Sequence, residues 1–262
     1  MSRVIVITSG KGGVGKTSVT LGIGRGLSAM GYKTLLIDTD MGLNNLDVLM
    51  NVEDKIVFDI SDVADARCRP RQALVEDPDC ENLMILPSVR GYRKNEVSGQ
   101  MLRAIINSLQ GFDYTLIDCP AGIELGFHRA VSAASEALVV TTPHISAVKD
   151  AGKVIGILGT YKIDARLIVN RVRGDMVLDG EMASPDDIRQ ALGIPLCGII
   201  PENDEINALS ANGEKPKSGG NGSKAFSLLC HNIVYGTSDM YDYTAGYKGI
   251  FGGIKRALKK HL

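Results

Sequence analysis

No run of 18 apolar residues occurs anywhere in the 262-residue chain, so no segment reads as a membrane-spanning helix. A leader pattern is also missing. After Met1, Ser2 and Arg3 the sequence passes directly into the β-branched run Val4-Ile5-Val6-Ile7. The five cysteines (Cys68, Cys80, Cys119, Cys197 and Cys230) are odd in number, widely spaced and form no C-x-x-C pair. That argues against a disulfide framework and against zinc-site spacing, and points to reduced thiols in a cytosolic protein. The formal net charge of −1 gives no chain-wide bias toward nucleic acid. There is no internal repeat.

What is present is alternation. Short β-branched runs at 4–8, 34–37, 83–86, 114–117, 137–141, 166–169 and 197–200 are separated by helical patterns. Several of these runs are apolar at every position, as expected of parallel strands covered on both faces. Helices are expected at 17–30, 101–109, 145–158, 186–192 and 224–235, and a surface loop at 212–224, which is rich in Gly, Lys and Ser. The alternation predicts one α/β domain with a doubly wound, mostly parallel sheet over residues 1–235. A linker at 236–246 and a tail at 247–262 follow.

The first strand and first helix flank Gly10-Lys11-Gly12-Gly13-Val14-Gly15-Lys16-Thr17, followed by Ser18. This fits G-x-x-x-x-G-K-[S/T], the phosphate-binding loop, and strand–loop–helix is the context the motif requires. Glycines bring backbone N–H groups close to phosphate oxygens, and the helix N-terminus adds its positive dipole end. Lys16 is expected on the β- and γ-phosphates, and the Thr17 hydroxyl on Mg²⁺.

Two more strands end in acids. The run 34–37 leads into Asp38-Thr39-Asp40, and 114–117 into Asp118-Cys119-Pro120-Ala121-Gly122. Ligands of open α/β sheets sit at the carboxyl ends of strands, so all three acids are expected near the phosphate loop. Asp118 resembles the Walker B acid of phosphate-loop NTPases, which implies that it holds Mg²⁺ through its water shell, and the stretch Cys119 to Gly122 resembles switch II, which implies a Gly122 N–H directed at the γ-phosphate. Asp40 opens a stretch resembling switch I and is assigned to orienting an attacking water, with Asp38 assigned to supporting the Mg²⁺ shell and the loop. Simple capping of the next helix is the alternative for Asp38 and Asp40.

A second lysine inside the loop, Lys11, resembles the deviant Walker A group of P-loop ATPases, the MinD/ParA family. The likeness to the septum-site-determining branch of that family extends over essentially the whole chain. It includes residues 8–17, Ile37-Asp38 with Gly42-Leu43 and Asn45-Leu46-Asp47, and Ile117-Asp118 with Pro120 to Glu124. It also includes Ser146 with Val148-Lys149-Asp150, Gly198 to Glu202, and Asn212-Gly213-Glu214.

The resemblance implies that Lys11 reaches across an ATP-dependent homodimer to the partner's nucleotide, placing positive charge where phosphoryl transfer builds negative charge. It further implies that Asn170 hydrogen-bonds adenine, that backbone groups around Pro201 and Glu202 complete the base pocket, and that Ser146 and Asp150 lie on the dimer face. Lys11, Lys16 and Asp40 are then the catalytic set, with ATP and Mg²⁺ bound. The implied partners are a division inhibitor, a topological factor and anionic membrane lipid, with no nucleic acid. His144 departs from the pattern, since the family carries a glutamate after Pro143 that reaches the partner's ribose. Asn44 stands where the family has arginine, and 217–223 also differs.

The last sixteen residues hold five basic side chains and no acid, which leaves the rest of the net −1 chain at −6. On a helical wheel Tyr247, Ile250, Phe251, Ile254, Ala257, Leu258 and Leu262 share an arc of about 140°. Lys255, Arg256 and the other basic residues fill most of the remainder. This is the pattern of a helix lying in a membrane surface. Gly249, Gly252 and Gly253 each cost about 1 kcal/mol relative to alanine in a helix, so folding is expected only at lipid. Two tails on one dimer gain an avidity of roughly 10²–10⁴.

The expectation is therefore a slow ATPase, cytoplasmic and reversibly peripheral at the inner face of the cell membrane, that helps to place the division septum. The alternatives are a flagellar-number-regulating ATPase of the same family and a non-catalytic ATP-gated membrane adaptor.

Overall fold

The computed structural model describes residues 2–40, 45–89 and 97–248. In chain order the elements begin with β1 (Arg3–Thr8), α1 (Lys16–Ala29), β2 (Thr34–Asp38), α2 (Asn45–Leu49) and α3 (Ile60–Ala64). They continue through β3 (Val75–Asp77), β4 (Cys80–Leu86), α4 (Gly99–Ser108), β5 (Tyr114–Asp118), α5 (Leu125–Ala133) and β6 (Glu136–Thr141). Then come α6 (Ile145–Thr160), β7 (Asp164–Val172), α7 (Gly174–Leu178), α8 (Pro185–Leu192), β8 (Leu196–Pro201), α9 (Asp204–Asn212) and α10 (Asn221–Tyr235).

The strands form one eight-stranded sheet in the order β3-β4-β2-β5-β1-β6-β7-β8. All neighbours are parallel except β3 and β4, which are antiparallel. The chain winds from β1 to one side and returns to β1 with β5. It then extends the other side with β6 to β8. The reversal leaves a crevice at the carboxyl end of β1, where ligands of such sheets bind.

Period-2 alternation divides the core. Ile5 and Ile7 of β1 face α1, α9 and α10, and Val6 faces α4, α5 and α6. Both layers exclude water almost completely, which is why the central strands read as unbroken apolar runs.

All seven expected strands and all five expected helices are present, each shifted by at most a few residues. Those not foreseen are the short edge strand β3 and helices α2, α3, α5, α7 and α9. The loop expected at 212–224 is interrupted by structure. Here α9 ends at Asn212 and α10 already begins at Asn221. Glu205 explains the early start, because its Oε2 accepts the Gly222 N–H at 2.7 Å and holds a Gly-Ser-Lys stretch in helix.

All five cysteines are free thiols. Burial pushes the Cys119 thiol up to about 12 and Cys197 to about 11, the signature of inert core groups. Within the described residues no helix is long and apolar enough to cross a membrane.

Residues 236–246, expected as a linker, lie against the domain, with Met240 and Tyr243 packed on Leu167, Val169 and Ile188. The tail residues Ile250, Phe251, Ile254, Lys255, Arg256 and Leu258 fall outside the described residues, as does Asn44.

Candidate active site

The phosphate loop runs between β1 and α1, and two of its glycines are there for space. A Cβ on Gly10 would sit 2.3 Å from the Asp150 carbonyl carbon and oxygen, so the loop lies directly on the backbone of α6. Gly15 has φ +86° and faces the Asn170 amide, whose Nδ2 would be 2.5 Å from an added Cβ. The first turn of α1 contains no acidic residue, and no side chain caps its start. Its leading N–H groups are therefore directed at whatever the loop holds.

Lys16 opens α1 and is 7% exposed. Its Nζ donates to Asp118 Oδ1 at 2.7 Å. Thr17 Oγ1 donates to Asp118 Oδ2 at 2.8 Å, and Thr20 Oγ1 to Oδ1 at 3.0 Å. Burial by itself pulls the Lys16 ammonium down, but the charge and hydrogen bond of Asp118 outweigh it, and the net shift is upward. Asp38, almost wholly buried, is pushed up to about 8 by burial first and by the charge of Asp118 second. Its oxygens accept the Asp40 N–H at 2.8 Å and the Leu46 N–H at 3.4 Å, supporting the loop and the start of α2 together. Asp40 is half-buried and also shifted upward, chiefly by burial.

Two carboxyl groups thus lie buried together near a single ammonium, beside a threonine hydroxyl. This all-oxygen donor set suits a hard divalent cation that keeps most of its waters and takes the rest from phosphate. Among the described residues there is no cluster of three or more His, Cys, Asp or Glu that could hold a metal by itself. The Mg²⁺ reading of Thr17, Asp38 and Asp118 fits such a shared site.

The Gly122 N–H donates to the Ser9 carbonyl at 3.1 Å, with Gly122 at φ +90°. A phosphate oxygen would have to replace that acceptor. Asn170 is 1% exposed; its Nδ2 donates to the Val14 carbonyl at 2.8 Å, and its Oδ1 accepts the Arg171 N–H at 2.9 Å. The side chain therefore braces the phosphate loop, and the second hydrogen on Nδ2 is what it can offer a base. Pro201 and Glu202 sit at the neighbouring strand end, where the Glu202 N–H donates to the Val172 carbonyl at 3.0 Å.

The residues expected on a dimer face are brought together. Lys11 Nζ donates to Ser146 Oγ at 3.0 Å across the mouth of a cleft of ≈ 350 Å³ that His144 and Arg171 also line. Asp150 lies nearby on α6, held below the usual carboxylate range chiefly by its hydrogen bond to Lys153 and more weakly by the charge of Lys11. Three contributors were not foreseen: Thr20, Thr39, whose Oγ1 donates to the Asp118 carbonyl at 2.7 Å, and Ser9. Only Thr20 had a sequence signal, lying one helical turn after Thr17 on the same face.

Comparison with known proteins identifies the family and the fold. Residues 5–216 match the model of the CobQ/CobB/MinD/ParA nucleotide binding domain. The septum site-determining protein MinD of Bacillus subtilis is 44% identical over 218 residues, 82% of this chain and 81% of its own. The structure of the MinC:MinD cell division protein complex from Aquifex aeolicus superposes with a TM-score of 0.83 at 38% identity, covering 91% of this chain and 97% of that one. The Pyrococcus horikoshii septum site-determining protein MinD, complexed with Mg-ADP, gives 0.80 at 31%, covering 90% and 97%.

Proposed function

The chain belongs to the MinD/ParA family of P-loop ATPases, and from that premise we propose that it is an ATP-dependent, dimerising, membrane-associating ATPase that helps to position the cell-division septum. The observation that carries the reading is the contact set of Lys16, Thr17 and Asp118, two groups from the start of α1 and one from the end of β5, joined at 2.7 and 2.8 Å beneath the phosphate loop.

In this reading, binding of nucleotide exchanges partners within that set. Lys16 leaves Asp118 for the β- and γ-phosphate oxygens, and the Thr17 hydroxyl and Asp118, supported by Asp38, would hold the cation. Mg²⁺ supplies neutralisation of the charge on the transferred phosphoryl group. Asp40, at the carboxyl end of β2, orients the attacking water. Gly122 gives up the Ser9 carbonyl and donates to the γ-phosphate. Lys11 moves from Ser146 toward the nucleotide of a second copy, with Ser146 and Asp150 on the same face. Asn170 and the backbone at Pro201 and Glu202 hold the base. Hydrolysis is slow until a partner stimulates it.

Membrane residence rests on residues 247–262, with Ile250, Phe251, Ile254 and Leu258 as the apolar anchors and Lys255 and Arg256 among the basic ones. A division inhibitor as partner is supported by the likeness to the protein in the MinC:MinD complex. Sedimentation with anionic vesicles tests the reading. The intact chain should pellet more with Mg-ATP than with Mg-ADP, and less as salt rises, because each lysine near such a surface contributes about 1 kcal/mol and is screened. Deletion of 247–262, or Ile254→Glu, should abolish pelleting. A truncated chain that still pellets, or equal binding in the two nucleotide states, sinks the membrane switch.

A further inference from the structure

Helix α10 ends at Gly236, whose φ is +70°, and the chain turns back past Asn232. The Asn232 side chain is fully buried. Its Nδ2 donates to the carbonyls of Cys197 (2.9 Å) and Asp239 (2.8 Å). Its Oδ1 accepts from Thr237 Oγ1 (2.7 Å) and the Asp239 N–H (3.0 Å). Every hydrogen-bonding position of that amide is thereby used, three of them to fix one turn. The backbone carbonyl of Asn232 also accepts from Arg166, near the start of β7, so this turn lies at the amino end of the sheet.

From there the segment climbs to the opposite end. Met240 and Tyr243 pack on Leu167, Val169, Val172 and Ile188. At the top it meets Gly174, the first residue of α7. A Cβ at that position would lie 1.9 Å from the Tyr243 carbonyl oxygen and 3.0 Å from Tyr247 Cδ2. Asp242 ties the last turn, accepting from the Thr244 N–H (2.9 Å) and Oγ1 (2.6 Å), and it pairs with Lys248 at 3.2 Å. Gly174 is four residues beyond Asn170, whose amide holds the Val14 carbonyl of the phosphate loop. One strand end therefore touches the loop through Asn170 and the strap through Gly174.

We propose that residues 236–248 form a docked strap whose seating on the β7–α7 corner is coupled to occupancy of the phosphate loop and sets the tether length of the C-terminal tail. Seated, the strap holds Tyr247 against Gly174, at the nucleotide end of the sheet. Unseated, thirteen further residues become tether, enough for an end-to-end spread of about 20 Å. A longer tether lowers the effective concentration of a second tail once the first is bound. The strap is thus the link between nucleotide state and avidity, and this part rests on the membrane reading above. By linkage, whatever factor nucleotide adds to seating, seating adds to nucleotide affinity.

Hydrogen exchange of the 237–247 amides in the full chain tests this, with and without Mg-ATP, for the wild type, Gly174→Ala and Tyr243→Ala. The first variant drives a methyl into the strap. The second removes its anchor and leaves β7 unaltered. In the wild type, the Asp239 and Tyr247 amides should exchange at least about tenfold slower than in free peptide, and slower still with Mg-ATP. Both variants should lose that protection and bind ATP more weakly by the factor that ATP adds in the wild type. Wild-type amides exchanging at free-peptide rates would overturn the seat. Protection indifferent to nucleotide, with unchanged affinity in both variants, would overturn the coupling. Vesicle pelleting run in parallel separates the two readings. If the wild type does not pellet, the membrane reading falls, and the exchange data alone decide the strap.

Discussion

Replacing Lys16 by alanine tests the site at its most buried charge. The ammonium is 2.7 Å from Asp118, with the side chains 7% and 1% exposed. Breaking such a pair by removing one partner typically costs about 3–5 kcal/mol, because the remaining charge is buried without compensation. Two hydroxyl donors, Thr17 and Thr20, stay on Asp118, which puts the expected loss near the low end, about 3 kcal/mol. For a chain of this size that is a fall of roughly 6–12 °C in melting temperature. The double variant Lys16→Ala/Asp118→Asn removes the stranded charge as well and should recover a good part of the loss.

Affinity should not recover with stability. The missing charge-assisted contacts to phosphate amount to about 1.5–3 kcal/mol, a roughly 10- to 150-fold weaker Kd for Mg-ATP in the single variant, and the double variant should bind more weakly still because the Asp118 carboxylate is also lost to the cation. Thermal melts in chelator and a nucleotide titration are the two measurements. A Lys16→Ala protein that melts with the wild type refutes the buried pair, and equal affinities refute the phosphate-loop assignment.

Other perturbations separate the remaining roles. Asp40→Ala should bind ATP, turn it over poorly and accumulate as a dimer, whereas Lys11→Ala should bind ATP and stay monomeric; light scattering with ATP distinguishes them. Gly10→Ala places a methyl 2.3 Å from the Asp150 carbonyl, so the loop and α6 must separate. A loss of about 1–3 kcal/mol in denaturant titration, together with weaker nucleotide binding, is expected. Glu136 is held below its ordinary 4.5 mainly by its hydrogen bond to Arg3. A depressed carboxylate stabilises above its unfolded pKa, and that contribution disappears as pH falls through the folded value. Glu136→Gln should therefore cost under about 1 kcal/mol at pH 7, given the partial exposure of the pair, and the gap to wild type should close as the medium is acidified below 4.5.

The sheet and the phosphate loop were legible in the sequence, because both are local signals. A parallel strand covered on both faces must be apolar at each position, so β1, β2, β5, β6 and β8 were legible without any partner. The phosphate loop is a contiguous eight-residue motif, and strand ends carry acids that can be read directly. Strand β3 was not legible. Its Val-Glu-Asp is too short and too polar to stand out, and it exists by pairing with β4. Nor was the start of α10, which depends on a carboxylate seventeen residues upstream. The tertiary structure alone decided that Asn170 braces the loop, that Thr20 and Thr39 converge on Asp118, and that Gly10 must be a glycine because α6 lies against it. It also decided that a Gly-, Ser- and Asp-containing stretch with the composition of a linker is seated on the domain. Composition reports how willingly a segment stays in water, but Asn232 reaches the Cys197 carbonyl and Gly174 meets the Tyr243 carbonyl from far along the chain, and no short window contains either pair.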